Sequence, residues 1–198
     1  IVATHGRGIW IIDDITPLRG LTPEVLSKNV AFMKARPTVQ RIGAFGGWVN
    51  GDAAFSGPNP SDDAVITYYL QKRHIFGDMK LEVLDSAGKV VATLPSTKRR
   101  GLSRVTWSMR LPPPTVPAAA SSAGGANVGP RLLPGSYTVR MTKDKEVYSM
   151  PLTVVPDPRT KHTLADRRAQ FALSKKLAAM LGERREARLV DAGLGALG

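Results

Sequence analysis

Cysteine is absent from the 198 residues. That excludes disulfides, iron–sulfur clusters, thiol catalysis and cysteine-based zinc sites. It does not fix the compartment, because exported chains also lack cysteine. Histidine is scarce, with three in all, which leaves little room for a multi-histidine metal site. Aromatics make up 6 % of the chain. No run reaches the roughly 18–20 consecutive apolar residues of a spanning helix. An initiating Met is also missing: the chain opens on Ile1, inside an apolar run. It reads as a fragment, so any signal peptide would lie upstream.

What is present is close to a globular average. Hydrophobic residues are 42 % and charged residues 22 %, which argues against wholesale disorder. The length suits one or two domains of roughly 100–150 residues. Lys and Arg number 28 against 16 Asp and Glu, a net charge of +12. The excess is spread as +2 over residues 1–60, +5 over 61–158 and +5 over 159–198. Cations cluster at Lys98-Arg99-Arg100, Arg167-Arg168, Lys175-Lys176 and Arg184-Arg185. A nucleic-acid module concentrates cations on one face and interleaves aromatics for stacking. Neither feature is evident, so nucleic acid is not an expected partner and the basic surface reads as solvated.

Residues 1–15 form a strand–turn–strand pattern. Ile9-Trp10-Ile11-Ile12 is β-branched and aromatic, and His5-Gly6-Arg7-Gly8 supplies turn chemistry. A hairpin this short is marginal alone and should complete a sheet. Thr22 before Pro23 and Glu24 marks a helix start, with Thr as N-cap and Pro at the first position. Val30–Arg41 reads as extended. Gly43–Pro60 holds five glycines and two prolines and reads as loop.

From residue 64 to 155, period-two alternation recurs in six or seven short stretches. Val105, Trp107 and Met109 alternate with Arg104, Thr106 and Ser108. Tyr137, Val139 and Met141 do the same against Thr138, Arg140 and Thr142. Tyr148, Met150, Leu152 and Val154 share another face. Asp85-Ser86-Ala87-Gly88-Lys89 and Asp144-Lys145 are turn signals. The pattern predicts an antiparallel β-sandwich. Pro112–Pro134 interrupts it with Pro, Ala, Ser and Gly runs, and is expected to be a mobile loop between two strands of one domain. From Thr163 the period becomes helical. Leu173, Leu177, Met180 and Leu181 form an apolar stripe, and Thr163 with Asp166 suits a capping box. The basic helix could lie on an anionic membrane, but its cations do not segregate from the stripe, so a membrane is not an expected partner.

The candidate chemistry is thin. Arg7 sits between two glycines beside His5, ahead of Asp13 and Asp14. That corner could hold a sugar, a phosphate or a metal, but alternation sends the two aspartates to opposite faces. Asp62-Asp63 reads as a solvated pair, since glycoside hydrolysis needs carboxylates facing each other across about 5–10 Å. There is no Gly-x-Ser-x-Gly, His-Glu-x-x-His, phosphate-cradling loop or EF-hand pattern. Trp107 and Trp10 lie in core-like runs. Trp48, in the glycine-rich stretch, is the one indole left open as a stacking platform.

Several segments resemble a known family. Thr4-His5-Gly6-Arg7, Ile12-Asp13-Asp14 and Thr16-Pro17-Leu18-Arg19 resemble the last blade of bacterial sortilin-like, BNR-repeat β-propeller proteins, commonly labelled glycosyl hydrolases. Residues 64–70, 81–91, 101–107 and 133–139 resemble the Ig-like domain of the flagellar hook-capping type that follows those propellers. Where that family has a Trp-Asp pair this chain has Trp107-Ser108, so no role is carried onto that position. The resemblance implies export, to the periplasm or outside the cell. It implies no catalytic residue here, because hydrolase carboxylates would lie in missing blades.

The expected architecture is therefore mainly β. Residues 1–20 would be the last strands of a propeller blade, and 21–60 a connector with a Gly/Pro-rich loop. Residues 61–158 would be an Ig-like sandwich with a mobile loop at 112–134, and 159–198 a basic C-terminal helix. The expected function is a non-catalytic accessory module that closes its own missing N-terminal propeller and mediates domain or partner packing. The alternative is a carbohydrate-binding module serving a glycoside hydrolase. Partners would be that propeller and a polysaccharide or protein. No catalytic, cofactor-binding or metal-ligating residue and no cofactor is assigned; Trp48, Arg7 and Trp10 are the candidate ligand or interface residues.

Overall fold

The computed structural model describes residues 2, 3, 5, 9, 10, 12, 14–41, 61–114 and 128–194, with only the backbone described at 2, 3, 9, 10 and 183–194. Strands β1 (Val2–Ala3) and β2 (Ile9–Trp10) pair antiparallel, Val2 opposite Trp10. Two one-turn helices follow, α1 (Thr16–Arg19) and α2 (Pro23–Leu26). Thr22 caps α2 as its sequence predicts: its hydroxyl accepts from the Val25 amide at 3.4 Å, with Pro23 at the first helical position.

Two sheets come next. The smaller joins β3 (Val30–Phe32), β5 (Ala64–Leu70) and β8 (Gly101–Trp107) in the order β3-β5-β8. The larger joins β4 (Thr38–Gln40), β6 (Met79–Leu84), β7 (Val90–Leu94), β9 (Gly135–Lys143) and β10 (Glu146–Pro156) in the order β4-β10-β9-β6-β7. All pairs are antiparallel except β4 with β10. β3 and β4 arise from the stretch read as connector, and one strand goes to each sheet.

Ile66, Tyr68 and Leu70 of the small sheet meet Leu81, Val83, Val139, Met141 and Leu152 of the large one in a single core. Alternation decides which side chains enter. Along β8, Ser103, Val105 and Trp107 are buried while Leu102, Arg104 and Thr106 are exposed. Trp107 stacks edge-on against Tyr137 at 5.0 Å and 70°. This is the sandwich that the period-two pattern predicts, with the C-terminal helix behind it. β5 departs from the pattern and is buried on both faces. Its outer side is covered by the α1–α2 stretch, where the Tyr69 hydroxyl donates to the Leu26 carbonyl at 3.4 Å.

Turn chemistry closes the hairpins. Between β6 and β7 the Asp85 carboxylate accepts from the Ala87 and Lys89 amides, each at 3.0 Å, and Gly88 takes φ +78°. Glu82 lies on the outer face of β6, where alternation predicts exposure, yet it is 4 % exposed. Lys80 and Arg140 fold over it: Arg140 Nη2 stands 2.7 Å from Glu82 Oε2, and Lys80 Nζ reaches Oε1. The hydrogen bond from Lys80, then that from Arg140, holds its carboxyl below the usual carboxylate range.

Helix α3 (Leu164–Leu194) begins with a reciprocal cap. The Thr163 amide donates to Asp166 Oδ2 at 2.8 Å, and the Asp166 amide to Thr163 Oγ1 at 3.2 Å. The expected apolar stripe is on the helix but does not pack. Leu173, Leu177, Met180 and Leu181 are 59, 51, 48 and 43 % exposed. Among the described side chains of α3, Phe171, two residues before Leu173, is the one that packs against the core.

The propeller expectation needs correction. Among the described residues the strands make one two-residue ribbon and the two sheets, and no four-stranded blade. Short strand pairs and His-Gly-Arg turns are local features, and a local pattern does not specify a propeller. Among the described residues no helix is long and apolar enough to cross a membrane.

Candidate anion-binding cleft

The sequence-level candidates are not brought together. Arg7 and Trp48 lie outside the described residues, as do Asp13 and the segment 115–127 within the loop expected to be mobile. Trp10 pairs with Val2 through the β1–β2 ladder. His5 is exposed. Asp14 Oδ1 accepts from the Thr16 amide at 2.9 Å and lies 3.4 Å from Arg36 Nε. Asp62 pairs with Arg41 at 3.5 Å, and the Asp63 amide donates to Ser61. Among the described residues no three His, Cys, Asp or Glu side chains group as metal ligands.

A different site forms where α3 crosses the base of the 112–134 loop. After β8 the chain runs through Met109, at φ +56°, into a short antiparallel return. The Leu132 amide donates to the Met109 carbonyl and the Leu111 amide to the Pro130 carbonyl, both at 2.9 Å; Arg110 and Arg131 bridge between them. Gly129 makes this approach possible: a Cβ there would stand 1.8 Å from the Leu111 carbonyl oxygen. Leu132 anchors the return in the core at 6 % exposure.

α3 lies across this return and encloses a cleft of about 400 Å³. One wall is Val128, Pro130 and Leu133, and the other is Phe171, Leu177, Ala178 and Leu181. Arg110, Arg131 and Arg167 line it together. Each guanidinium is held by a neutral oxygen. Arg110 donates to the Gly129 carbonyl at 3.0 Å, Arg131 to the Arg41 carbonyl at 2.5 Å, and Arg167 to the Gln40 side-chain oxygen at 3.0 Å. Among the described residues none of the three has a carboxylate within 4.0 Å.

Gln40 is the hinge of the arrangement. It is 2 % exposed at the end of β4, donates to the Leu132 carbonyl at 2.8 Å, and accepts from Arg167. One buried amide thus ties the sandwich, the return and α3 to each other. Burial, then repulsion from Arg110 and Arg167, pulls the Arg131 pKa below its usual value, against an opposing pull from Asp62. A guanidinium remains charged in that setting. Three cations side by side, partly withdrawn from water and unpaired with carboxylate, attract an anion.

Sequence reasoning missed this cluster. Its members Gln40, Arg110, Arg131 and Arg167 come from β4, the strand bridge and α3, and even the closest two, Arg110 and Arg131, are 21 residues apart. Only the Arg167-Arg168 pair was visible as a charge cluster.

No family model matches the chain, and no curated protein matches it. The likeness to sortilin-like propeller proteins and their hook-capping-type domains is therefore withdrawn, on this ground and on the sheet topology. Among solved structures, CopC from Methylosinus trichosporium OB3b is similar over 50 % of this chain and 80 % of that one, at 16 % identity and a TM-score of 0.28. A likeness that low carries no inference about ligand or role.

Proposed function

We propose that the chain is a non-catalytic interaction module whose sandwich presents the arginine cleft to an acidic segment of a protein partner. The observation that supports this reading is the gathering of Arg110, Arg131 and Arg167 without a carboxylate, beside the exposed Leu177 and Leu181. Guanidinium groups recognise carboxylates by paired donors, and an apolar wall alongside takes the partner's aliphatic side chains.

The carbohydrate reading rests on Trp48, which lies outside the described residues. Within the cleft the aromatic ring is Phe171, and Lys175 Nζ sits over it at 4.8 Å. That cation covers a face on which a sugar would stack, so the peptide reading is preferred. Placement outside the cytoplasm, as a secreted or periplasmic protein, belongs to the same proposal, and cell fractionation checks it.

Calorimetric titration with a peptide of alternating Glu and Leu tests the reading. Binding should weaken at least about tenfold in Arg131→Ala, the loss of one charge-assisted contact of about 1.5–3 kcal/mol. It should also weaken as salt rises. Equal affinity for wild type and Arg131→Ala would sink the proposal. Binding of oligogalacturonate but not of the peptide would favour the carbohydrate reading instead.

A further inference from the structure

A second feature lies at the β5–β6 end of the sandwich, away from the cleft residues. The loop from Gln71 to Asp78 carries two bare apolar side chains, Ile75 at 65 % and Phe76 at 85 % exposure. Side chains of that size are costly to leave in water unless something covers them. The loop is well anchored. The His74 amide donates to the Lys98 carbonyl at 2.9 Å, and Lys98 Nζ donates to the Gly77 carbonyl at 2.6 Å. Beneath it the imidazole of His74 is 9 % exposed and lies 3.6 Å from Asp144. Gly77 takes φ +85°, and a Cβ there would meet Asp144 Oδ1 at 2.0 Å. A Cβ there would force the Asp144 side chain to turn away and would be strained at this φ, so glycine suits the turn that presents the two apolar side chains.

Cations surround them. Lys72 and Arg73 lie in the same loop. Lys98, Arg99 and Arg100 enter from the β7–β8 connection, beside it because Leu70 pairs with Gly101. Tyr68 holds that connection in place: its hydroxyl donates to the Thr97 carbonyl at 2.9 Å and accepts from the Thr97 amide at 2.8 Å. Lys72, Arg73, Arg99 and Arg100 are all exposed. The β9–β10 turn adds Lys143 and Lys145, and Asp78, Asp144 and Glu146 are acidic groups at this end; Lys143 pairs with Glu146, and the Asp144 amide donates to the Asp78 carbonyl at 2.9 Å. Lys72, Arg73, Lys98, Arg99, Arg100, Lys143 and Lys145 thus stand against Asp78, Asp144 and Glu146, seven cations to three carboxylates at the end that carries the apolar tip.

We infer that this tip docks on an anionic lipid surface, with Ile75 and Phe76 entering the headgroup–acyl boundary and the surrounding Lys and Arg meeting the lipid phosphates and carboxylates. The chemistry of the two parts selects the occupant. Cations attract any polyanion, but an aliphatic side chain beside an aromatic one, both exposed on a loop, has no use on a phosphate backbone. Single-stranded nucleic acid is gripped in a groove with aromatic stacking platforms. A bilayer interface takes both parts at once, apolar side chains inward and cations at the headgroups. The helix considered from sequence as a membrane element is not involved; the loops are.

The test uses the full chain in flotation with vesicles of phosphatidylcholine, with and without phosphatidylserine. The chain should float with the phosphatidylserine vesicles and not with phosphatidylcholine alone, and added salt should reduce the bound fraction. Ile75→Ser with Phe76→Ser should lower partitioning by about tenfold or more. Arg99→Ser with Arg100→Ser should lower it by about tenfold. All four side chains are exposed, so circular dichroism should match the wild type. A Phe76→Trp variant should gain a blue-shifted emission with anionic vesicles. Failure to float, equal floating on both vesicle types, or floating unchanged by the paired serines would each overturn the inference. So would binding to duplex RNA that phosphatidylserine vesicles do not displace.

Discussion

The sandwich and helix α3 answer to the same sequence rule and differ in what the rule achieves. In β6, β9 and β10 the period-two apolar residues Leu81, Val139, Met141 and Leu152 are between 0 and 1 % exposed. In α3 the equally regular Leu173, Leu177, Met180 and Leu181 remain about half exposed. Periodicity marks a face; whether that face is covered depends on a partner that periodicity does not supply. The sandwich has its partner in its own second sheet. Beyond Phe171, the described part of α3 has no such cover. On the reading proposed above, stability and recognition are divided between the two regions, and substitutions in each should have unlike consequences.

The largest effect belongs to the core. Trp107→Ala should cost about 3–5 kcal/mol, as large-to-small aromatic substitutions do, read as a fall in the urea midpoint. A loss under about 1 kcal/mol would mean that the sheets do not close over Trp107.

Glu82 gives a smaller, pH-dependent effect. Its folded pKa lies below its unfolded value near 4.5. The stability it contributes is therefore full above that unfolded value and is lost as pH falls through the lowered folded one. Glu82→Gln should cost about 1–2 kcal/mol at neutral pH, because Lys80 and Arg140 can turn back to water. It should also flatten the acid limb of the stability profile. An unchanged acid limb would contradict the buried trio.

Gly88→Ala comes next, at about 1 kcal/mol, since φ +78° strains any residue with a Cβ. In α3, Thr163→Ala should loosen the first turn by about 1 kcal/mol, measured by amide exchange, with little change in the sandwich. Smallest of all, Leu177→Ser should leave global stability within about 0.5 kcal/mol while weakening binding of the acidic peptide. A large global loss there would place α3 inside the cooperative unit and erase the division.

Local chemistry was the legible part of this chain. The Thr22 cap, the Thr163–Asp166 box and the Asp85–Lys89 turn each depend on residues within a few positions of one another, and each is found as read. The sandwich followed from alternation that Val105, Trp107, Tyr137 and Val139 obey. Glu82 escaped because its burial comes from Lys80 and Arg140 leaning across the sheet, which alternation treats as exposed. The cleft escaped because Gln40, Arg110, Arg131 and Arg167 meet only after both sheets and α3 are in place. The opening segment misled: its turn residues fit a propeller blade as readily as the small ribbon found, and two strands carry too little information to tell them apart.

The division between a stable sandwich and a recognition helix is tested most directly by residue-resolved amide exchange on the full chain, with and without the Glu-Leu peptide. Amides at Leu81, Val139 and Leu152 should exchange slowly in both conditions. Those from Leu177 to Leu181 should exchange much faster in the free chain and slow when the peptide is added. Equal protection of helix and sandwich in the free chain, with no change on adding peptide, would contradict it.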